Sequence, residues 1–212
     1  MDDPPIRDAS TVILVRDATT TPKILMGQRA QGAVFMPNKV VFPGGGIEQG
    51  DVDVELAETI NMTCANRLSE NRNKVRASAL CSAAIRELFE ETGQVLGRLG
   101  DWKAPNPNWA DFAKTGNAPS AHALYYVYRA ITPPGRPRRF DARFFLANAA
   151  DVTSELDDFS SASDELSHLD WYSFEQIETL DLPLITTLVL STVRALLPRF
   201  APPPTVPFRQ NR

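Results

Sequence analysis

Three glutamates on one predicted helix constrain this chain more than any other feature of its sequence. Glu87, Glu90 and Glu91 are spaced i, i+3 and i+4, so a helix over about residues 78–92 places all three carboxylates on one face. Like charges at this spacing destabilise an isolated helix by roughly a few tenths of a kcal/mol per pair. A divalent cation reverses that cost, and Mg²⁺ prefers hard oxygen ligands of this kind. A solvated acidic face is the alternative for such a pattern taken alone.

A glycine-rich turn precedes this helix in the sequence. The run Phe42-Pro43-Gly44-Gly45-Gly46 follows a short strand predicted at residues 39–42. Backbone without Cβ atoms can approach a metal ion or a phosphate closely, although a permissive turn is the simpler explanation for the glycines alone. We therefore expect the two features to belong to one site only if they match a longer pattern.

The remaining sequence predicts strands and helices that mix without regular alternation. Strands are predicted at 11–16, 23–28, 39–42, 124–131, 140–146 and 170–173, and helical segments at 52–76, 78–92, from 174 onward and at 184–197. This mixture favours an α+β fold, an α/β/α sandwich with a mixed β-sheet flanked by helices. We expect an N-terminal extension at 1–9, a single domain at 10–197 with insertions at about 52–78 and 97–121, and a disordered Pro-rich tail at 198–212.

Composition excludes several classes of function. The chain has 212 residues, of which 43% are hydrophobic, and this is enough for one substantial core. Its net charge of −4 argues against a dedicated nucleic-acid binder. No apolar stretch approaches the ~20 residues of a membrane span, and residues 1–5 lack a signal-peptide pattern, so we expect a cytoplasmic protein. Cys64 and Cys81 are too few for a disulfide framework and are expected to be reduced.

Taken together, the glycine turn and the acidic helix resemble the Nudix box, G-x5-E-x7-R-E-U-x-E-E-x-G-U, where U is a bulky apolar residue. Residues 86–93 match every fixed position of its second half, and only Gln94 departs, at the final U. Residues 45–51 match the first half, with Asp51 in place of glutamate. About 27 residues are inserted, because roughly 34 residues separate Asp51 from Arg86 where the box has seven. Loop-closure entropy grows slowly with length, so the insertion is tolerable, but it leaves open whether Asp51 reaches Arg86.

The resemblance implies a diphosphatase that depends on Mg²⁺, with Mn²⁺ as a substitute, and it assigns roles to single residues. Glu87, Glu90 and Glu91 would bind the metal together with the carbonyl of Gly44, and Arg86 would orient a carboxylate without contacting substrate. One glutamate would act as general base, and the resemblance does not say which. Members of the family often add an acidic residue from a later loop. Here that residue is Glu165 in preference to Asp164, with ordinary loop charge as the alternative; His122 and His168 are expected to be non-catalytic.

The segment before the glycines points to a substrate class. A coenzyme A diphosphatase branch of the family carries L-L-T-x-R-S-x3-R-x3-G-x3-F-P-G-G, which this chain resembles at Leu25, Arg29 and residues 42–45. Val34 stands where that pattern has an arginine, and Asn38 stands where it has a glycine. Asparagine tolerates a left-handed backbone, so the second replacement is the milder one. Through the insertion and residues 83–93, 131–135 and 138–145, most of residues 10–197 are also similar to acyl-CoA diphosphatase-like Nudix proteins.

Two further groups of residues follow from this resemblance. Arg138, Arg139 and Arg143, near Arg136 in a predicted hairpin, would bind the 3′-phosphate of coenzyme A, with a solvated hairpin as the alternative. The aromatic residues of segment 97–121, Trp102, Trp109 and Phe112, would line a pocket for an acyl-pantetheine arm or else pin a long loop to the core.

The leading hypothesis is hydrolysis of CoA or acyl-CoA to adenosine 3′,5′-bisphosphate and (acyl-)phosphopantetheine. An ADP-ribose or dinucleotide diphosphatase is the enzyme alternative, and a non-catalytic nucleotide-sensing module is the alternative from another class. The expected partner is a small nucleotide-type molecule, with neither nucleic acid nor membrane, and a homodimer is left open.

Overall fold

The computed structural model describes residues 3–70 and 75–210. The strands are β1 (Ile6–Arg16), β2 (Lys23–Arg29), β3 (Val40–Val41), β4 (Gly44–Gly46), β5 (Gly97–Leu99), β6 (Asn117–Pro119), β7 (Tyr125–Ile131), β8 (Arg139–Asn148), β9 (Leu166–Ser173) and β10 (Phe208–Gln210). The α-helices are α1 (Met62–Ser69), α2 (Ala77–Thr92), α3 (Ala110–Lys114), α4 (Phe174–Ile177) and α5 (Leu184–Leu196). Short 3₁₀ turns lie at Gln49–Asp53, Pro107–Trp109 and Ala149–Asp151.

One mixed sheet organises the described residues. Its main path runs β10-β7-β8-β1-β2-β3, with β4 paired to β1 and β9 paired to β2. β1 is parallel to β8, and β7 is parallel to β10, whereas the other pairs are antiparallel. A separate two-stranded sheet joins β5 to β6. The antiparallel pairing of β4 with β1 places the glycine turn alongside the centre of the sheet.

Both faces of the central strands are buried. In β1, Val12 and Leu14 pack into the cluster that contains the apolar face of α2, and Ile13 and Val15 pack into the cluster that contains α5. A strand covered on both sides reads as a continuous apolar run, and this explains why residues 12–15 are all hydrophobic. The layers are therefore helix, sheet, helix, which confirms the fold class expected from the sequence.

Most element positions agree with the sequence. α2 covers the predicted helix at 78–92, α4 begins at Phe174 as expected, and α5 matches the predicted closing helix. Cys64 and Cys81 are free and buried. Within the described ranges, no helix combines the length and the hydropathy that a bilayer crossing requires.

The predicted boundary at residue 10 is wrong, because β1 begins at Ile6. The polar start of this strand hides it from apolar periodicity, yet it pairs with β8 in parallel from Ile6 opposite Arg139. Asp8 lies in this early part, where its carboxylate accepts a hydrogen bond from Arg143. Pairing with β8 therefore extends β1 over residues whose local sequence does not predict a strand.

The helix predicted over residues 52–76 is wrong for its first part. Residues 54–61 are non-helical and include a bridge between Glu58 and Ser120; α1 starts only at Met62, where the side chain of Asn61 caps it by accepting from the amide of Cys64. The last part of this prediction, at 71–74, lies outside the described residues. α1 does pack beside α2, since Cys64 and Leu68 share the cluster of that helix.

The expectation of a disordered tail is also wrong for the described residues of 198–210. Phe208–Gln210 form β10, which pairs with β7 from Arg129 to Ile131. Arg67 in α1 donates to the carbonyls of Pro203 and Pro204 at 2.6 and 3.0 Å. Prolines lack an amide donor but keep a carbonyl acceptor, so a Pro-rich segment can still be fixed by a donor from elsewhere in the fold.

We expect the amides of β10 that face β7 to be protected from hydrogen exchange; β10 is an edge strand, so these are the alternate amides of residues 208–210. Hydrogen–deuterium exchange read by mass spectrometry on a C-terminal peptide measures this directly. Protection at least about tenfold above a random coil is expected. Exchange at the random-coil rate would contradict this strand and would support the disordered tail that the composition suggests.

Candidate active site

α2 carries the three glutamates on its C-terminal turns. Its N-terminal half is buried, and the Ser10 hydroxyl in β1 donates to the carbonyl of Leu80 at 2.7 Å, which fixes the helix on the sheet. The helix ends at Gly93, which has a φ of 77°, and the amide of Gly93 donates to the carbonyl of Phe89. Glycine adopts this left-handed conformation without strain, so the helix stops at Thr92, directly after its acidic residues.

Arg86 joins the two parts of the sequence that resemble the Nudix box. Its guanidinium, only 3% exposed, donates to both carboxylate oxygens of Asp51, from Nε at 2.9 Å and from Nη2 at 3.0 Å. It also donates to Glu87 at 3.0 Å, to Glu90 at 2.8 Å and to the carbonyl of Gly46 at 3.0 Å. The sequence left open whether Asp51 reaches Arg86, and the structure shows that it does. These contacts agree with an arginine that orients carboxylates.

Asp51 is itself held by the turn that follows the glycines. Its carboxylate accepts from the amide of Glu48 at 2.9 Å, and its own amide donates to the carbonyl of Glu48. Asn106 donates to the carbonyl of Gly50 at 2.9 Å, so segment 97–121 braces the same turn from outside. Asp51 is 1% exposed and acts here as a buried counter-charge for Arg86.

The glycine turn packs directly against two of the glutamates. The amide of Gly44 donates to the carboxylate of Glu91 at 2.8 Å, and Glu91 is 2% exposed. A Cβ at Gly45 would lie 2.4 to 2.5 Å from the carboxylate atoms of Glu87, so a larger residue there would displace this carboxylate from its present position. Glu90 is the most exposed of the three, at 39%.

Burial leaves this group of carboxylates short of positive charge. Desolvation raises the pKa of Glu87 to about 7, against the opposing effect of Arg86. Desolvation, followed by repulsion from Glu87, also raises the pKa of Glu91 well above its usual range. The pKa of Glu90 is raised by burial as well, although Arg86 lowers it in part. One arginine therefore does not neutralise the three glutamates and Asp51.

The side chains are nevertheless not gathered around one point. In the described part of the chain, no three His, Cys, Asp or Glu residues form a ready-made cation site. The reason is visible in the contacts, because Glu87 and Glu90 turn toward Arg86 and Glu91 turns toward the amide of Gly44.

Two further residues predicted from the sequence lie close to these glutamates. Glu165 is exposed in the loop before β9, and its charge raises the pKa of both Glu87 and Glu91. Arg29, at the end of β2, lowers the pKa of Glu91, and its buried Nε has no hydrogen-bond partner in the described structure. Nearby, Asn38 has a φ of 61°, the left-handed conformation that its substitution for glycine requires.

The expectation that Arg143 contacts substrate is wrong. Its side chain is 1% exposed and is paired with Asp8 and Asp141, because the parallel pairing of β1 with β8 brings these residues together. Arg139 is 14% exposed and is engaged by Asp3 and by the carbonyl of Thr132. Arg138 is exposed on the β7–β8 turn.

The aromatic residues of segment 97–121 pin that segment to the core. Trp109 and Phe112 are fully buried, and both make edge-to-face contacts with Trp102. Phe112 also contacts Phe89 of α2 with ring centroids 5.3 Å apart. The pocket-lining alternative therefore does not hold for Trp109 and Phe112.

A cleft of about 710 Å³ opens beside Glu90. Most of its lining residues are polar or acidic. They include Asn108 and Lys114 from the segment around α3, Ser154, Ser161 and Ser163 from the loop before β9, and the acidic residues Asp111, Glu155 and Asp158. Phe89 and Val95 supply apolar surface. A cleft of this volume accommodates a small molecule. Sequence reasoning missed it because its two walls are far apart in the chain and carry no motif.

Comparison with known proteins supports the Nudix hydrolase family. Over 173 residues the chain is 30% identical to a Caenorhabditis elegans protein provisionally named nudix hydrolase 7; the match covers 73% of this chain and 50% of that protein. The chain thus spans about half the length of this relative. No protein-family model matches the sequence.

Solved structures show the same fold. A Nudix hydrolase from Alicyclobacillus acidocaldarius aligns with a TM-score of 0.69 and 26% identity over 90% of this chain and 92% of that one. The Nudix domain of NrtR from Shewanella oneidensis, solved with ADP ribose, gives a TM-score of 0.52 at 11% identity, over 91% and 88% of the two chains. At that identity the likeness shows the fold alone.

Replacing Asp51 should destabilise the protein strongly. The Asp51→Ala variant leaves the buried guanidinium of Arg86 without its bidentate partner, and breaking such a pair costs about 3–5 kcal/mol. The free energy of unfolding from urea titration measures the effect. Asp53→Ala is the matched control, since Asp53 is exposed in the same turn and should change stability by less than about 0.5 kcal/mol. Equal stability of the two variants would contradict a structural role for the Arg86–Asp51 pair.

Proposed function

We propose that this chain is a metal-dependent Nudix hydrolase that cleaves a diphosphate linkage in a nucleoside diphosphate-X substrate. The observation that carries the proposal is the contact set of Arg86, which holds Asp51, Glu87 and Glu90 against a glycine turn. A helix whose carboxylates are only solvated needs no such arrangement. The alternative of a solvated acidic face therefore accounts for less of the structure. The intact glutamates also weigh against a non-catalytic sensing module.

The residues present suit a hard divalent cation such as Mg²⁺, with Mn²⁺ as a substitute. Glu87, Glu90 and Glu91 offer oxygen ligands, and the Gly44 carbonyl offers another. Burial raises the pKa of all three carboxyls, and a bound cation would favour their ionised forms. Because Glu87 and Glu90 also bond to Arg86, binding requires their side chains to share oxygens with Arg86 or to rotate away from it. When bound, the metal neutralises phosphate charge and acidifies a coordinated water.

The protein's own residues supply positioning, a general base and a phosphate contact. Arg86 is a positioning residue, since all its contacts are to protein atoms within the network. Glu165 is exposed close to Glu87 and Glu91, and this suits a general base that takes a proton from the attacking water. Arg29 offers a buried, unpartnered Nε beside Glu91, which suits a contact to a substrate phosphate.

CoA or acyl-CoA is the substrate that we favour, with adenosine 3′,5′-bisphosphate and (acyl-)phosphopantetheine as products. Support comes from the sequence match at Leu25, Arg29 and the glycine turn, and from the polar cleft beside Glu90, whose hydroxyl and amide groups suit the amides of a pantetheine arm. The loss of Arg143 as a phosphate ligand leaves Arg138, with Arg136 beside it on the same turn, as the exposed hairpin candidate for the 3′-phosphate. ADP-ribose or a dinucleotide is the alternative substrate.

Glutamine substitutions should separate catalysis from folding at two of the glutamates. Glu90→Gln and Glu91→Gln should each lower kcat by about two orders of magnitude or more, because they remove ligand charge while keeping the shape and an acceptor oxygen. Turnover with Mg²⁺, alongside thermal unfolding, is the measurement. Glu70→Gln, an exposed glutamate that caps α1, is the matched control. Near wild-type turnover in both site variants would remove this helix from the mechanism.

Substrate preference should favour CoA esters over ADP-ribose in kcat/KM. Removing the 3′-phosphate, as in dephospho-CoA, should weaken binding about tenfold or more, because a charge-assisted phosphate contact contributes about 1.5–3 kcal/mol. Acetyl-CoA is the suitable ester, since little apolar area is at stake. The Arg138→Ala variant should lose the distinction between CoA and dephospho-CoA. If ADP-ribose is the better substrate, the CoA assignment falls while the diphosphatase proposal stands.

A further inference from the structure

A second group of residues lies on the other side of the glycine turn from the glutamates. Arg7 in β1 and Phe140 in β8 are register partners of neighbouring parallel strands. Side chains alternate between the faces of a strand, so Arg7 belongs to the face of Ile13 and Val15, opposite to α2. The Arg7 guanidinium lies 3.6 Å from the position that a Cβ on Gly46 would occupy.

Arg7 differs from the other arginines of this part of the sheet. Arg139 and Arg143 are engaged by carboxylates, whereas Arg7 is exposed, and among the described residues no acidic side chain lies within ion-pair distance of it. A planar guanidinium with unused donors matches the oxygens of a phosphate in a bidentate manner. The bare backbone of Gly46 leaves space for an anion to approach it.

An aromatic pair stands next to Arg7. The rings of Phe35 and Phe140 make an edge-to-face contact, with centroids 5.3 Å apart, and both side chains are only partly buried. Phe35 comes from the loop between β2 and β3, so the pair brings the loop that precedes the glycine turn against the start of β8. A nucleobase can stack on a partly exposed aromatic surface, because every base has a π face.

We propose that Arg7, Phe35 and Phe140 form a nucleotide subsite, in which a base stacks on the phenylalanine pair and Arg7 binds the adjacent phosphate. This inference rests on the proposed function, since it assigns the nucleoside side of the substrate to this face and leaves the cleft beside Glu90 to the other side. The glycine turn lies between the two, with Arg7 against Gly46 on one face and Glu87 against Gly45 on the other. A diphosphate crossing the turn meets both groups.

The experiment uses adenosine 5′-(α,β-methylene)diphosphate, whose bridging carbon resists hydrolysis, and inorganic pyrophosphate, each titrated calorimetrically in Mg²⁺. Arg7→Ala should weaken binding of both probes about tenfold. Phe35→Ala and Phe140→Leu should weaken the nucleotide by a similar factor and leave pyrophosphate unchanged. Phe35→Ala serves if Phe140→Leu fails to fold, since Phe35 lies in a loop. Arg98→Ala is the matched control, because Arg98 is an exposed arginine on β5 outside both groups, and it should bind the nucleotide analogue as wild type does.

The outcomes separate this subsite from the proposed activity. If Arg7→Ala and Phe35→Ala bind the nucleotide as tightly as wild type, or if wild type binds it no better than pyrophosphate, the subsite is overturned even when the chain hydrolyses a diphosphate. If the variants lose nucleotide affinity as expected while no diphosphate is cleaved, the subsite stands and the hydrolase proposal falls. In an active enzyme, Arg7→Ala should raise KM more than it lowers kcat, as expected for a binding group.

Discussion

The buried guanidinium of Arg86 is the interaction on which the rest of the site depends. A guanidinium has five N–H donors, and Arg86 directs bonds to Asp51, Glu87, Glu90 and Gly46. Burial disfavours its charge, yet its carboxylate neighbours outweigh that effect and raise its pKa. Arg86 therefore stabilises the buried carboxylate of Asp51 together with Glu87 and Glu90, whereas Glu91 is held by the amide of Gly44.

The same interaction explains why the long insertion between Asp51 and Arg86, here called the excursion, is tolerated. The two residues meet through the fold, with Asp51 set by its own turn and Arg86 set by a helix fixed to β1, so their distance along the chain does not matter. The excursion has its own anchors, because Cys64 packs beside α2 and its sulfur accepts from the amide of Tyr126. Arg67 in turn holds the C-terminal segment, so the excursion and the tail stabilise each other.

The spacing of apolar residues predicted those helices and strands whose side chains are buried periodically or without interruption. It failed where the structure depends on pairing between residues that are far apart in the chain. α2 and its end at Gly93 were predictable from spacing and from one glycine. In the candidate site, a motif indicated residues that the structure places beside the glycine turn, such as Glu91 and Arg86. The fate of Arg143 was not, because it depends on the parallel pairing that brings Asp8 beside it across the sheet. The cleft beside Glu90 and the neighbourhood of Arg7 depend on equally distant contacts.

The carboxylates of the site weaken the fold that holds them, and this has a direction in pH. A carboxyl whose pKa is higher in the folded than in the unfolded state binds its proton more tightly when folded. For Glu87 that contribution is present at low pH and is lost as the pH rises from the ordinary carboxyl range toward about 7. Glu91 acts in the same direction. A cation that binds the ionised carboxylates would favour the release of these protons, and it would offset the loss of stability as the pH rises.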